Sequence, residues 1–270
     1  ALRRLLSAVD EAAPLAWFES LGLYPRTDEA GRVYPYSNQA ADVLALLEHH
    51  LSRLGVEVRT GCTVQNLSQS RGGYVVLFSN ADGADESLRA DAVVCAMGGS
   101  AGPQFGTDGF GPRFAAQCGG RVEPLYPCLT ALQTAKPNRS LAGIRAKAHA
   151  ALYNSSTLLA DYRGEVQFTE FGVSGPAVFD LSRSAAVEKP PLTLHIDLLP
   201  RLSAADTEAL LRQRAALMPE LTTENLLAGM LHNRLGRTLL RYAGFGLTEP
   251  VAALGAAERQ RIAEAIHDFA

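Results

Sequence analysis

Apolar residues recur at a helical period through Ala40, Val43, Leu44, Leu47, Leu51 and Leu54. Asn38 is placed to cap this helix, and Gly55 to end it in the left-handed conformation. The period then shortens. Residues 56–58, 64–67 and 74–78 read as short strands, with turns at Gly72-Gly73 and Asp82-Gly83. Residues 91–96 read as a buried strand running into Gly98 and Gly99. A helix, hairpin-like strands and a buried strand ending in glycines form the back half of a nucleotide-binding α/β layer.

From about Leu125 the pattern becomes one of strands, with candidates at residues 129–134, 144–152, 165–171 and 192–198. Leu192, Leu194, Ile196 and Leu198 alternate onto one face, and prolines and glycines punctuate the runs. This predicts a small antiparallel barrel or sandwich. From Ser203 the chain turns helical, opening with a capping box between Ser203 and Asp206. A second helix is expected from Thr223 to Leu235, broken at Gly236, and a third still running at the last residue with Ile262, Ala263, Ile266 and Phe269 on one face. The first residues, with Leu2, Leu5, Leu6 and Val9 at helical spacing and no initiator Met, read as the interior of a longer protein. The fold class is therefore α/β in three parts: a partial nucleotide-binding layer over residues 1–123, an inserted barrel over 124–200 and a helical subdomain over 201–270.

Charge and composition narrow the function. Across 270 residues, 25 Lys and Arg face 28 Asp and Glu, a net charge of -3, which excludes the basic stripe of a nucleic-acid binder. No apolar run reaches the roughly 20 residues a membrane span needs, and a cytoplasmic location is expected. Cys62, Cys95, Cys118 and Cys128 are scattered without zinc-site spacing, and Cys95 reads as a small buried hydrophobe. The six histidines form no metal or triad motif, and His195 reads as a structural residue in a strand. No metal site is expected.

Three stretches could carry chemistry. Six glycines fall within residues 96–111, after the buried strand of residues 91–96, and would let backbone N–H groups approach a pyrophosphate. The chain contains no GxGxxG, and a tight surface loop explains the same glycines equally well. In the second stretch, Gly31, Arg32 and Val33 lead into Tyr34, Pro35, Tyr36 and Ser37; Arg32 could offer a planar fork to a phosphate or carboxylate. A plain hairpin loop is the alternative. In the third, Phe168, Thr169 and Glu170 precede Gly172, Ser174, Gly175 and Pro176. Ser174 there is a plausible helix cap; Pro176 stands where a nucleophile elbow requires Gly, which speaks against a serine hydrolase. Arg234, Arg237 and Arg241 share one helix face and read as solvated.

Taken in order, these stretches resemble the BaiN-type, aminoacetone-oxidase-like group of FAD-dependent oxidoreductases. Residues 31–37 are similar to that family's GR-V-(F/Y)-P-x-S segment, and Ala96, Met97, Gly98 and Gly99 to its Ala-Thr-Gly-Gly, with Met97 in place of Thr. Residues 101–109 continue the glycine-rich pattern, 168–176 resemble its FT-x-(F/Y)-G-(I/L)-SG block, and 196–200 the strand before its helices. The resemblance implies that the first part is an FAD-binding Rossmann-like layer. The family's N-terminal GxGxxG unit and C-terminal flavin-covering segment have no counterpart here, so the chain is expected to be a central portion, binding FAD weakly or not at all by itself. By the same resemblance, Gly31, Arg32, Val33, Ala96, Met97, Gly98 and Gly99 lie along the FAD site, and Val64 contacts the adenine through its backbone. Thr169, Ser174 and Gly175 are expected on the substrate side; no catalytic acid or base is assigned. The expected partner is a small-molecule substrate, with neither nucleic acid nor membrane, and unpaired sheet edges suggest a homodimer. A cofactor-free module that binds a ligand or a partner chain is the competing reading.

Overall fold

The computed structural model describes residues 12–29, 31–117 and 119–270; the helical pattern at Leu2 to Val9 and Cys118 lie outside these. The chain divides into two units, Ala1–Ala96 and Met97–Ala270.

In the first unit, helix α1 (Ala12–Ser20) precedes a hairpin of β1 (Pro25–Thr27) and β2 (Val33–Pro35), then helix α2 (Ala40–Arg53). Strands β3 (Thr63–Ser70), β4 (Gly73–Ser79) and β5 (Asp85–Ala90) form an antiparallel sheet in the order β3-β4-β5. The helical period of α2 is as expected and Gly55 follows it at φ +68°, but Asn38 does not cap it. Asn38 sits at φ +61° and accepts a hydrogen bond from Arg26 Nη2 at 2.9 Å, and Gln39 occupies the cap position without a side-chain bond. Two expected strands are absent. Residues 56–58 and 91–96 pair with no strand among the described residues, and Val58 and Val94 are exposed. Cys95, expected to be buried, is exposed as well. A buried strand needs neighbours on both sides to take its N–H and C=O groups, and these segments have none among the described residues. Of the hairpin β4–β5, the sequence predicts the first strand and the turn but not β5, whose Asp-Glu-Ser-Leu-Arg-Ala is too polar to stand out. Among the described residues of this unit only Phe78 is a buried hydrophobe.

The second unit holds the core. After helix α3 (Phe110–Gln117), strands β6 (Leu132–Gln133), β7 (Arg145–Asn154), β8 (Thr157–Phe168), β9 (Gly172–Ser174) and β10 (Leu192–Asp197) make one antiparallel sheet in the order β10-β7-β8-β9-β6. It is an open five-stranded half-barrel. Ala148, Ala150, Leu152, Val166 and Ile196 alternate onto its inner face, where helix α4 (Pro176–Val187) packs through Ala177, Val178 and Leu181. At about 25 cal/mol per Å² of apolar surface, this continuous cluster dominates the unit's stability.

Helices α5 (Ala204–Leu217), α6 (Asn233–Tyr242) and α7 (Ala256–His267) complete the unit. The capping box forms as foreseen, with Asp206 N donating to Ser203 Oγ at 3.1 Å and Ser203 N to Asp206 Oδ2 at 3.2 Å. Arg259 joins α7 to α5 through Glu208 at 2.9 Å, both side chains mostly buried. The helix expected from Thr223 is a single 3-10 turn (Thr223–Asn225), and α6 begins at Asn233 and continues through Gly236. Gly236 faces Leu227, where an added Cβ would come within 3.1 Å, so the glycine permits packing rather than breaking the helix. The last helix also ends earlier than expected. Phe269 leaves it and bridges Ile196 on β10, N to O at 3.1 Å and O to N at 3.0 Å.

Candidate functional site

The hairpin loop between β1 and β2 is built by Asp28. Arg32 N donates to Asp28 Oδ1 at 2.9 Å and Arg32 Nε to Asp28 Oδ2 at 2.8 Å, while Gly31 turns at φ +77° and donates to Asp28 O at 3.0 Å. The hydrogen bond and charge of Asp28 raise the Arg32 guanidinium above its ordinary range. Arg32 is thus partly engaged, leaving its terminal nitrogens at the surface, and Val33 beside it pairs with Thr27. Val64, on the edge strand β3, pairs with Phe78 on β4 just before a bulge at Gln65.

The glycine-rich turn belongs to the second unit from Met97 onward. Gly98 has φ +72°, and its carbonyl packs so tightly on the start of α3 that a Cβ on Gly111 would lie 2.7 Å from it. Met97 packs against the same glycine. Gly99 has nothing within 4 Å of where a Cβ would stand, so its backbone edge is open to close approach. The beginning of α3 is already occupied: Asp108 accepts from Phe110 N at 2.9 Å and pairs with Arg113 at 2.7 Å. The Arg113 hydrogen bond, followed by that of Phe110, holds the Asp108 carboxyl below its usual range. An anion would meet a fixed carboxylate there. Of this turn, the backbone edge of Gly99 is the part left open to a ligand such as a flavin nucleotide, while the carboxylate of Asp108 already holds the start of α3.

Thr169, Ser174 and Gly175 meet around the β8–β9 hairpin. Ser174 pairs with Gln167, and Thr169 N donates to Gly172 O at 2.8 Å. Thr169 Oγ1 is buried and has no hydrogen-bond partner among the described residues. Ser174 is not the cap of α4; it stays in β9, and Gly175 at φ +101° takes the cap position with Pro176 following. A Cβ on Gly175 would lie 2.5 Å from Glu165 O, which only glycine avoids. The arginine stripe of α6 is partly engaged rather than wholly solvated: Arg234 donates to Ser140 O, and Arg237 pairs with Glu224 at 3.1 Å.

On the outer face of the half-barrel the sheet assembles residues that no local motif announced. His149 Nε2 lies 2.6 Å from Asp161 Oδ2, His195 Nδ1 bonds Asp268 Oδ1, and His267 Nδ1 lies 2.9 Å from Asp197 Oδ1. The available signal was alternation: His149, Ala151 and Tyr153 on β7, and His195 and Asp197 on β10, share the face opposite the apolar positions. Among the described residues, no group of three or more His, Cys, Asp or Glu is arranged to hold a metal, and no helix is long and apolar enough to cross a membrane.

The half-barrel and helices α5 to α7 after it lie in one unit, Met97–Ala270. Residues 126–270, over half of the chain, match the HI0933-like protein barrel and H2TH domain, and residues 23–117 match the flavin containing amine oxidoreductase family. The chain belongs to the HI0933-like, BaiN-type family of FAD-dependent oxidoreductases. It is 33% identical over 260 residues to a 3-dehydro-bile acid delta(4,6)-reductase from Clostridium scindens. That alignment covers 95% of this chain and 62% of the relative, so the chain spans under two thirds of that protein's length.

Proposed function

We propose that this chain is the central portion of an FAD-dependent oxidoreductase whose flavin carries redox chemistry on a small molecule. Gly31, Arg32, Val33, Val64, Ala96, Met97, Gly98 and Gly99 are the flavin-side residues, and Thr169, Ser174 and Gly175 face the substrate. FAD belongs to the full-length parent and is held weakly or not at all by this chain, whose sequence lacks a GxGxxG. The bound flavin would supply hydride transfer; the chain's own residues orient and exclude water. The first part is read as the Rossmann-like layer, with domain limits at 123 and 200, and an exposed sheet edge as a homodimer contact. The family match favours this reading over a cofactor-free module.

One observation carries the substrate side. A buried hydroxyl without a partner costs about 1–3 kcal/mol, and Thr169 Oγ1 is such a group at the tip of the block that marks the family. A ligand carbonyl would accept its hydrogen bond. The relative's name describes reduction of an unsaturated 3-oxo compound, so a conjugated ketone is the substrate class proposed here. The test is anaerobic reoxidation of the chemically reduced full-length parent. An α,β-unsaturated ketone should restore the oxidised flavin spectrum, more slowly in Thr169→Val, whereas a saturated ketone should not. Reoxidation by neither compound would overturn the substrate class.

A further inference from the structure

We infer that the cavity on the outer face of the half-barrel is a binding site for a small organic ammonium ion. The cavity, about 480 Å³, is lined by His149, Ala151, Tyr153, Ser155, Ser156, His195, Asp197, His267 and Asp268. Sheet register explains its shape. Ala151 pairs with Asp161 on β8 and with His195 on β10, so one small side chain forms a floor with larger polar groups around it. His149 and Tyr153 flank it along β7, and the Tyr153 ring meets His195 edge-on at 4.9 Å.

The hydrogen bonds decide what the cavity can accept. A carboxylate only accepts, so the imidazole nitrogen facing it carries the hydrogen. Asp161 therefore fixes the N–H of His149 on Nε2, and Asp268 that of His195 on Nδ1. In the neutral rings, His149 Nδ1 and His195 Nε2 are left as lone-pair acceptors, and neither has a partner among the described residues. His267 differs, since Asp197 and Thr207 engage both of its nitrogens. No Lys or Arg lines the cavity, whereas Asp197 and Asp268 do; Arg163, directly across from His149 on β8, and Lys147, two residues before His149 on β7, stand beside it on the same face. Two imidazole lone pairs, serine hydroxyls and an aromatic ring beside carboxylates suit a cation that donates N–H bonds. A primary ammonium on a short alkyl chain has that chemistry.

The test uses the full 270-residue chain with 15N-labelled histidine, titrated with n-propylammonium chloride and observed by ring-nitrogen NMR. Saturable shifts of His149 Nδ1 and His195 Nε2, with His267 unmoved, are expected. 1-Propanol, which lacks the charge, and tetramethylammonium, which lacks the N–H, should leave both unmoved. Ala151→Leu fills the floor and should weaken binding about tenfold or more. If that variant misfolds, His149→Leu, which removes one acceptor, should do the same. No saturable shift, an equal shift of His267, or equal response to either control compound would overturn the site.

Discussion

His267 is held between Asp197 and Thr207: its Nδ1 lies 2.9 Å from Asp197 Oδ1 and its Nε2 2.8 Å from Thr207 Oγ1. Those partners sit at the end of β10 and in the first turn of α5, so one side chain at the end of α7 joins sheet to helices. Asp197 also takes the N–H of Leu199 at 2.9 Å, and Leu198 N donates to Ile266 O at 2.9 Å beside it. Thr207 is fully buried. Replacing His267 by Ala leaves a buried hydroxyl and a carboxylate without their partner. We expect a loss of about 1–3 kcal/mol in urea unfolding of the second unit, with its far-UV circular dichroism unchanged before the transition.

Two glycines that both have positive φ should respond differently to Ala. Gly143 has φ +84° with nothing within 4 Å of a Cβ, so Gly143→Ala meets only the left-handed penalty, about 1–2 kcal/mol. At Gly175, φ +101°, the Cβ would also lie 2.5 Å from Glu165 O, which adds a clash between β8 and the start of α4. Thermal unfolding should rank Gly175→Ala well below Gly143→Ala. Equal midpoints would mean that the β8–β9 hairpin relaxes freely.

These two units were not equally legible in the sequence. Leu192, Leu194, Ile196 and Leu198 announce β10 because each strand of the half-barrel buries one face locally, and Ser203 with Asp206 announces α5 through a bond only three residues long. Residues 91–96 carry a strand's apolar composition, yet pairing is non-local and composition cannot supply a neighbour. The glycine-rich turn could be found by its residues alone. The outer-face histidines could not, because His195 and Asp268 are 73 residues apart and meet only through the bridge of Ile196 to Phe269. The sequence favours Ser174 as the cap because Ser is the commoner cap, whereas the 2.5 Å approach of Glu165 O demands Gly at 175, one residue on, where the cap falls.

Acidification should act through the α5 capping box. Hydrogen bonds from the Ser203 side chain, then its backbone, hold the Asp206 carboxyl below the ordinary value of 3.8. A carboxyl depressed by folding contributes stability that is complete above its unfolded value and is lost as pH falls through the folded one. The stability gap between the native chain and Asp206→Asn should therefore be constant near neutrality and shrink below about pH 4. Urea midpoints of both proteins across that range check this; a gap that widens on acidification would contradict the sign.

Thr169→Val separates fold from ligand. With no partner for Oγ1 in the chain, removing the hydroxyl while keeping the shape should leave stability unchanged or slightly raised. In the flavin-loaded parent the same change should weaken the response to a conjugated ketone. A clear loss of stability in the isolated chain would show that the hydroxyl serves the fold.

The visible absorption spectrum of the full-length parent, purified under native conditions, tests the central reading most directly. A flavin spectrum whose chromophore is released by denaturation and identified as FAD is the result expected from the barrel match over residues 126–270 and the flavoprotein match over residues 23–117. A folded parent that carries no flavin and binds none on titration would contradict it.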